Sequence, residues 1–359
     1  MSDLFATAYR RAYEAYNYRL RTVNGGRWAA HCRPTSIVVL LSERCNARCV
    51  HCDIWKNRGQ EHAPTLEQWK TVVADLRGWL GRVQVVFSGG EALLIPAAAQ
   101  LIAHASQIGL FVEHLTHGYW VDQSRVEQLA LADPWRVTIS MDGIGETHSR
   151  IRGRDNFFEK TYQSIQTLKR LRKEKKLNYA IRLKTVIMSY NLDDICELAR
   201  FAKREEAEIF YQPIEQNYNT EEDSRWFETS PTWPRDTQRV VAIVEELIRM
   251  KKRGLPIANS LAQLEVMIPY FKDPDSMRVA VQAHAAHEHK RVCNATTMLQ
   301  LQSNGDVTLC AGLKPVGNIK TASIREIWEN RPHVWEEGCC LDRRCSAAEK
   351  ETLALPVLR

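Results

Sequence analysis

Two alternating patterns of apolar positions dominate the middle of the chain. Short runs rich in β-branched and aromatic residues predict strands, and stretches with apolar residues at helical spacing separate them. The predicted strands are 36–42, 83–88, 110–116, 136–141, 180–188 and 208–213. The predicted helices between them are 65–79, 95–108, 122–132, 156–176 and 192–206. Six such units in series predict a parallel sheet with helices outside, because parallel neighbours need crossover connections. The pattern allows a closed or partly open barrel as well as a doubly wound sheet.

The same patterns divide the chain into regions. Apolar residues at helical spacing predict a helix over 3–22, ahead of the first strand. After the sixth strand, residues 215–235 are rich in Asn, Asp, Pro and aromatic residues and interrupt the alternation. We therefore predict a helical extension at 1–33, a core at 34–214, a linker or lid with helices at 215–290, and a small C-terminal domain at 291–359.

Composition narrows the class of protein. The 359 residues are 44% hydrophobic and 26% charged, which is typical of a globular protein. A net charge of +6 is mild for this length and does not indicate a nucleic-acid partner. No apolar run approaches the roughly 18 residues that span a bilayer, and the N-terminus lacks a secretory pattern. We therefore expect a cytoplasmic protein without a membrane span.

Ten cysteines are the unusual feature of the composition, and they are too sparse for a disulfide scaffold. Cys45, Cys49 and Cys52 form C-x3-C-x2-C directly after the first predicted strand. We call residues 45–52 the cysteine loop. Three thiolates on one loop can hold a metal centre with one coordination position open. A structural zinc site takes four protein ligands, and an ordinary four-iron cluster takes four cysteines.

This motif, in this position, resembles the cysteine motif of the radical S-adenosylmethionine (SAM) superfamily. The resemblance implies a [4Fe–4S] cluster on the three cysteines, whose open iron chelates SAM. An electron from that cluster cleaves SAM to a 5′-deoxyadenosyl radical, which abstracts a hydrogen from the substrate. The resemblance also implies a partial (β/α)6 TIM-like barrel as the core. His51 differs from the family pattern, which usually has an aromatic residue before the third cysteine.

Later strand ends resemble the family's SAM-binding motifs, in chain order. In the segment FSGGE, Gly89 and Gly90 would let the backbone approach SAM, and Glu91 would receive its amino group. The stretch 148–153 resembles the family's H-x-x-x-R-G sequence. The resemblance implies four further cofactor contacts: Thr116 in T-H-G, Ser140 in S-M-D-G, Arg182 as the partner of the SAM carboxylate, and Gln212 facing the cleft.

The C-terminal cysteines resemble a SPASM or twitch domain, the auxiliary iron–sulfur extension of this superfamily. The segment Asn304-Gly305-Asp306 predicts a hairpin turn between two short strands. The candidate cluster ligands are Cys293, Cys310, Cys339, Cys340 and Cys345. Five cysteines allow one auxiliary [4Fe–4S] cluster, held by four of them or by three with an open iron. Which of the adjacent Cys339 and Cys340 binds it stays open.

The resemblance gives a reaction class without a substrate. We expect an oxidoreductase that removes two electrons from a hydroxylated small molecule. We also expect an external flavodoxin-like or ferredoxin-like donor, which supplies the electron that cleaves SAM. Epimerisation and peptide maturation are alternatives, and a zinc-binding module or hydrolase is the alternative of another class. Residues that could line the cleft are Tyr211, Tyr218, Asn259, His284, His287 and His289.

Overall fold

The computed structural model describes residues 3–22, 31–57, 63–217, 223, 225–274, 297–309 and 314–331. The helices are α1 (Asp3–Thr22), α2 (Leu66–Leu80), α3 (Ala98–Gln107), α4 (Ser124–Leu131), α5 (Glu146–Arg152), α6 (Phe157–Glu174), α7 (Ile195–Arg204), α8 (Trp226–Thr229), α9 (Thr237–Lys252), α10 (Leu261–Glu265), α11 (Met267–Lys272) and α12 (Ile324–Glu329). The strands are β1 (Ser36–Ser42), β2 (Gln84–Gly89), β3 (Phe111–Thr116), β4 (Arg136–Ser140), β5 (Ala180–Ile187), β6 (Glu208–Pro213), β7 (Met298–Leu301), β8 (Asp306–Thr308) and β9 (Gly317–Asn318). The alternating α/β order predicted for the core is confirmed.

The first of two compact units comprises Met1–Glu43, Gly59–Glu113 and Arg278–Arg359. Its strand order is β3-β2-β1-β7-β8-β9. Strand β1 pairs in parallel with β2 on one side and with β7 on the other, so that Ile37 lies opposite both Val85 and Leu299. Strands β7 and β8 form an antiparallel hairpin with Gly305 in its turn, which confirms the predicted hairpin. Its pairing with β1 was not predicted.

The second unit comprises Arg44–Arg58 and His114–Met277, and its strand order is β3-β4-β5-β6. Strands β4, β5 and β6 pair in parallel. One face of these strands is apolar and buried: Val137, Ile139, Ile181, Leu183 and Ile209. The other face carries Thr138, Ser140, Arg182, Lys184, Glu208 and Gln212, interspersed with Ala180, Val186 and Phe210, and is therefore largely polar. Parallel strands are usually apolar on both faces, so a polar face marks the side on which this unit can bind a ligand.

Side-chain pairing completes the edge strand β6. The Asn259 side chain accepts from the Tyr211 backbone N–H and donates to the Tyr211 carbonyl, both at 2.8 Å. The Tyr211 hydroxyl donates to the Ile195 carbonyl at 2.8 Å, and both Tyr211 and Asn259 are fully buried. These two candidates for lining the cleft therefore serve the fold instead.

The predicted boundaries at 33, 214 and 290 remain a prediction, because the two compact units each combine separated stretches of chain. None of the helices in the described ranges combines the length and the apolar character that crossing a membrane requires.

Replacing Asn259 by Ala will destabilise the second unit. The substitution leaves the buried N–H and C=O of Tyr211 without partners, at a cost of about 1–3 kcal/mol for each group. Chemical denaturation monitored by circular dichroism measures the change. The control is Asn178→Ala, which alters an exposed side chain and should change the free energy of unfolding by about 0.5 kcal/mol or less. Equal effects of the two substitutions would contradict this role of Asn259.

Candidate functional site

The cysteine loop is bound by its backbone to the C-terminal end of helix α5. The Arg48 N–H donates to the Arg152 carbonyl at 3.0 Å, and the Val50 N–H donates to the Ile151 carbonyl at 2.9 Å. The last carbonyls of a helix have no partner within the helix, so they are free to bind another segment. Both residues that flank Cys49 are thereby fixed in position.

Gly153 makes this close approach possible. It follows α5 with φ +73°, in the left-handed region that favours glycine. A Cβ atom on Gly153 would lie 2.3 Å from the Arg48 carbonyl oxygen, closer than any van der Waals contact allows. The glycine of the R-G pair is therefore required by the backbone of the cysteine loop.

His117 holds the start of the cysteine loop. Its Nδ1 accepts from the Tyr119 N–H at 2.9 Å, so its hydrogen is on Nε2, which lies 2.7 Å from the Asn46 side-chain oxygen and donates to it. Burial lowers the pKa of His117 to about 3, which keeps the ring neutral and this tautomer in place. His117 stands where the family pattern has Asn, and the structure shows what it contacts.

The three cysteines come together at one small cluster of buried apolar side chains. Cys49 is 8% exposed and packs with Ala47 and Phe157, and the half-buried Cys45 and Cys52 pack against the same cluster. None of the three is joined in a disulfide. The Trp55 indole N–H donates to the Cys52 carbonyl at 2.8 Å and fixes the end of the loop.

A buried ion pair supports Cys49. Arg152 Nη2 lies 2.5 Å from Asp142 Oδ2 without the alignment of a hydrogen bond, and Arg152 Nη1 donates to the Cys49 sulfur at 3.6 Å. Burial opposes the charged form of Arg152, but Asp142 holds the pKa of the guanidinium above its ordinary value. Burial raises the pKa of the Cys49 thiol, and Arg152 acts in the opposite direction. Arg152 therefore favours a thiolate at Cys49.

Two histidine nitrogens next to this pair are buried and make no hydrogen bond within the described part of the chain: Nδ1 of His51 and Nε2 of His148. His148 Nδ1 accepts from the Asp142 N–H at 3.0 Å, so its Nε2 carries the hydrogen. Burial lowers the pKa of His51 to about 4 and that of His148 to about 3. Buried polar atoms without partners need an explanation, and a group bound at the site is one that fits both nitrogens.

The donor set fits a cluster better than a single ion. Within the residues that the structure describes, no three His, Cys, Asp or Glu side chains form a group that could hold one metal ion. A mononuclear zinc site needs ligands that converge on one point. The cysteines of a [4Fe–4S] cluster bind different irons and surround a larger volume. Cys45, Cys49 and Cys52 lie at one apolar cluster without forming a group for a single ion, so they fit the second kind of site better.

The predicted cofactor contacts of the second unit fall into two groups according to their position along the strands. Thr116 and Ser140 are the last residues of β3 and β4, and Gln212 is the penultimate residue of β6. They lie at the carboxyl ends of the strands, where barrel-like folds bind their ligands. Arg182 is only the third residue of β5, and its guanidinium binds Glu208 Oε2 with Nε at 3.0 Å and Nη2 at 2.7 Å. This position argues against the predicted role of Arg182.

Lys184 is the basic residue that the sequence motifs did not single out. It lies opposite Ser140 in the β4–β5 register and two residues closer than Arg182 to the end of β5. Its charge contributes to the lowered pKa of His51 in the cysteine loop. Both basic residues fall on the same face of the strand. Only their distance from the strand end could have distinguished them in the sequence.

The Gly-Gly-Glu segment belongs to the first unit. A Cβ atom on Gly89, which has φ +139°, would lie 2.2 Å from the Ser42 carbonyl oxygen, and the Gly90 N–H donates to that oxygen at 2.6 Å. Glu91 is 1% exposed, and its Oε1 accepts from the Leu93 N–H at 3.1 Å. These glycines hold β2 against the end of β1.

The remaining predicted residues cannot be placed. The auxiliary-cluster candidates Cys293, Cys310, Cys339, Cys340 and Cys345 lie outside the described residues, as do Tyr218, His284, His287 and His289.

Comparison with known families identifies two domains. Residues 39–202 match the family model described as the radical SAM superfamily. Residues 293–349 match the SPASM model, described as an iron–sulfur cluster-binding domain. The two matches lie in different parts of the chain and together cover more than half of it.

Curated relatives include proteins with different substrates. The chain is 26% identical over 305 residues to the AdoMet-dependent heme synthase of Methanosarcina barkeri, covering 83% of this chain and 82% of that protein. It is 29% identical to the sporulation killing factor maturation protein SkfB of Bacillus subtilis, over 49% of this chain and 42% of that protein. It is 30% identical to the PqqA peptide cyclase of Bradyrhizobium diazoefficiens, over 32% of this chain and 30% of that protein.

Solved structures share the fold at low identity. Streptococcus suis SuiB bound to S-adenosylmethionine superposes with a TM-score of 0.65 at 15% identity, covering 91% of this chain and 71% of that one. Native anSMEcpe with bound AdoMet superposes with a TM-score of 0.57 at 17% identity, covering 87% and 88%. The fold is thus an α/β fold of the kind predicted.

Replacing Gly153 by Ala will displace the cysteine loop. The left-handed conformation alone costs an alanine about 1–2 kcal/mol, and the Cβ overlap with the Arg48 carbonyl adds to this cost. We expect lower stability and a loss of iron from the cysteine loop after anaerobic reconstitution. The control is Gly254→Ala, which has φ +85° but open space around its Cβ and should retain its iron. Equal iron contents would show that Gly153 does not position the loop.

Proposed function

Because the chain belongs to the radical SAM superfamily and carries a SPASM domain, we propose that it cleaves SAM reductively at Cys45, Cys49 and Cys52 and oxidises a small non-peptide substrate. Its cofactors are a SAM-binding [4Fe–4S] cluster, an auxiliary cluster and SAM. The observation that carries the proposal is the cysteine loop itself. Cys45, Cys49 and Cys52, none of them in a disulfide, gather at one apolar cluster on a loop that is bound by its backbone to α5.

The cluster, when bound, supplies an electron that cleaves the SAM sulfonium and so provides a radical that takes a substrate hydrogen. The protein contributes position, charge and exclusion of water. The α5 carbonyls hold the loop backbone and His117 holds the Asn46 side chain, so the loop is fixed by contacts that involve no cofactor. Arg152 favours the thiolate form of Cys49, which is the form that binds iron.

We assign binding of SAM to the strand ends. Ser140 and Lys184 lie opposite each other across β4 and β5, so a hydroxyl and an ammonium group are presented together. An ammonium group suits the SAM carboxylate, and Lys184 thus replaces Arg182 in this role. Gly89, Gly90 and Glu91, with Thr116 and Gln212, complete the set of proposed SAM contacts.

The choice of a small substrate rests on how the relatives match. The heme synthase matches over 83% of this chain, whereas SkfB and the PqqA peptide cyclase match over 49% and 32%. The match that extends along most of both chains is thus to a protein named for a small-molecule product. A tetrapyrrole precursor of heme is the first substrate to test, and hydroxylated small molecules follow it.

Peptide maturation is the second candidate function. The SkfB and PqqA cyclase matches favour it, since both proteins are named for peptide or maturation reactions. A substrate panel separates the candidates. An iron tetrapyrrole, hydroxylated small molecules and precursor peptides, each deuterated at carbon, are incubated with the reconstituted enzyme. Transfer of deuterium from one substrate class into 5′-deoxyadenosine identifies the class, and transfer only from peptides would overturn the proposed small substrate.

The three loop cysteines should account for SAM cleavage. We expect about eight irons per reconstituted chain, four for each of two clusters. Replacing Cys45, Cys49 and Cys52 by Ala should leave about four irons and abolish formation of 5′-deoxyadenosine. Replacing the isolated, half-buried Cys196 by Ala is the control and should change neither quantity. Cleavage of SAM by the triple variant, or a colourless wild-type protein that binds zinc, would refute the proposed function.

Lys184 and Arg182 can be distinguished by SAM affinity. Lys184→Met should weaken SAM binding about tenfold or more, because a charge-assisted hydrogen bond to a carboxylate contributes about 1.5–3 kcal/mol. Arg182→Met should leave SAM affinity near that of the wild type, since Arg182 binds Glu208. Equilibrium dialysis with the reconstituted, unreduced enzyme measures both. A larger loss in the Arg182 variant would restore the original assignment.

A further inference from the structure

The outer side of the cysteine loop carries an exposed group of cations. Arg48 and Lys56 are exposed and lie over the Trp55 ring, at 4.7 Å and 5.7 Å from its centre. Arg150 and Arg154 are exposed on either side of residues 151–153, to which the loop is bound. Since the loop and the end of α5 are hydrogen-bonded to each other, these four residues lie in one part of the second unit. We call them the loop cations.

The loop cations are not neutralised by neighbours. Within the part of the chain that the structure describes, none of them forms an ion pair with a carboxylate: Arg150 donates to a carbonyl, and Arg154 lies over the Tyr119 ring. Many other arginines of this unit are paired, including Arg170 with Glu127 and Arg204 with Glu197. An unpaired positive surface attracts an acidic partner and accelerates its association.

An exposed apolar residue lies among these cations. The Val50 side chain is 44% exposed, and Val50 directly follows the buried Cys49. A small apolar contact near exposed charges suits a transient encounter, and weak redox complexes bury less than about 1,200 Å² in total. Electron transfer slows steeply with distance, so a donor seated over Val50 would be only one residue away from a proposed iron ligand.

We propose that Val50 and the loop cations are the docking surface for a small acidic protein of the flavodoxin or ferredoxin class, which passes one electron to the cluster on the cysteine loop. The donor is oxidised by one electron and the cluster is reduced by one. This docking surface rests on the proposed function, because only a cluster at Cys49 gives the surface an electron acceptor. Positive charge steers the donor, and Val50 provides the apolar contact.

The test compares a protein donor with a small chemical reductant. In the reconstituted full chain, Lys56, Arg150 and Arg154 are replaced together by Glu, and in a milder variant by Gln. At low ionic strength, the rate of 5′-deoxyadenosine formation with a reduced acidic flavodoxin should fall about tenfold or more in the Glu variant and less in the Gln variant. With dithionite, which needs no docking surface, both variants should match the wild type. Added salt should slow the wild type with flavodoxin and reduce the difference.

A charge-matched control lies at the far end of α6. Phe157 begins this helix beside Cys49, and its 18 residues extend about 27 Å to the exposed Lys173, Lys175 and Lys176. Replacing these three lysines by Glu makes the same change in net charge and should leave both rates unaltered.

The remaining outcomes separate the docking surface from the proposed function. An unchanged flavodoxin rate in the Glu variant would overturn the docking surface, and so would an equal fall with dithionite and flavodoxin. A higher KM for an anionic substrate, with the flavodoxin rate intact, would assign the surface to substrate binding and also overturn it. Absence of SAM cleavage by the wild type with dithionite would instead refute the function on which the docking surface rests.

Discussion

The two hydrogen bonds from the cysteine loop to the end of α5 are the constraint on which the candidate site depends. They use carbonyls that the helix cannot satisfy itself, and they fix the residues on both sides of Cys49. Gly153 ends α5 in the left-handed conformation, and its lack of a Cβ atom leaves room for the close approach of the loop. The hydrogen bonds to the end of α5 therefore hold the loop, and with it the thiols, in position.

The charged groups next to Cys49 depend on one another. Burial disfavours a thiolate at Cys49, and an isolated buried guanidinium would be equally unfavourable. Asp142 stabilises the buried Arg152 guanidinium, and Arg152 in turn favours the thiolate of Cys49. The ion pair has little value as a source of stability, because buried pairs lose about as much in desolvation as they gain in attraction. Its value is that one positive charge is held beside a sulfur.

The sequence predicted the alternation of strands and helices, the hairpin at Gly305 and the grouping of Cys45, Cys49 and Cys52, because each depends on local spacing or turn chemistry. It did not predict the pairing of β7 with β1, which joins segments far apart in the chain. It singled out Arg182 and did not consider Lys184, because alternation places both on one face and only depth along the strand separates them. It could not show that Asn259 pairs with the Tyr211 backbone, because that contact depends on tertiary structure.

The position of β7 has a consequence for synthesis of the chain. Strand β1 leaves the ribosome early, and β2 follows soon after, but β7 is made only near the C-terminus. At ordinary elongation rates β1 waits on the order of ten seconds or more with one edge unpaired. Ile37 and Val39, buried in the finished unit, lie on that waiting strand, and an unpaired apolar strand edge is a template for association. Until β7 is made, the nascent chain therefore exposes an apolar strand edge that can associate with other chains.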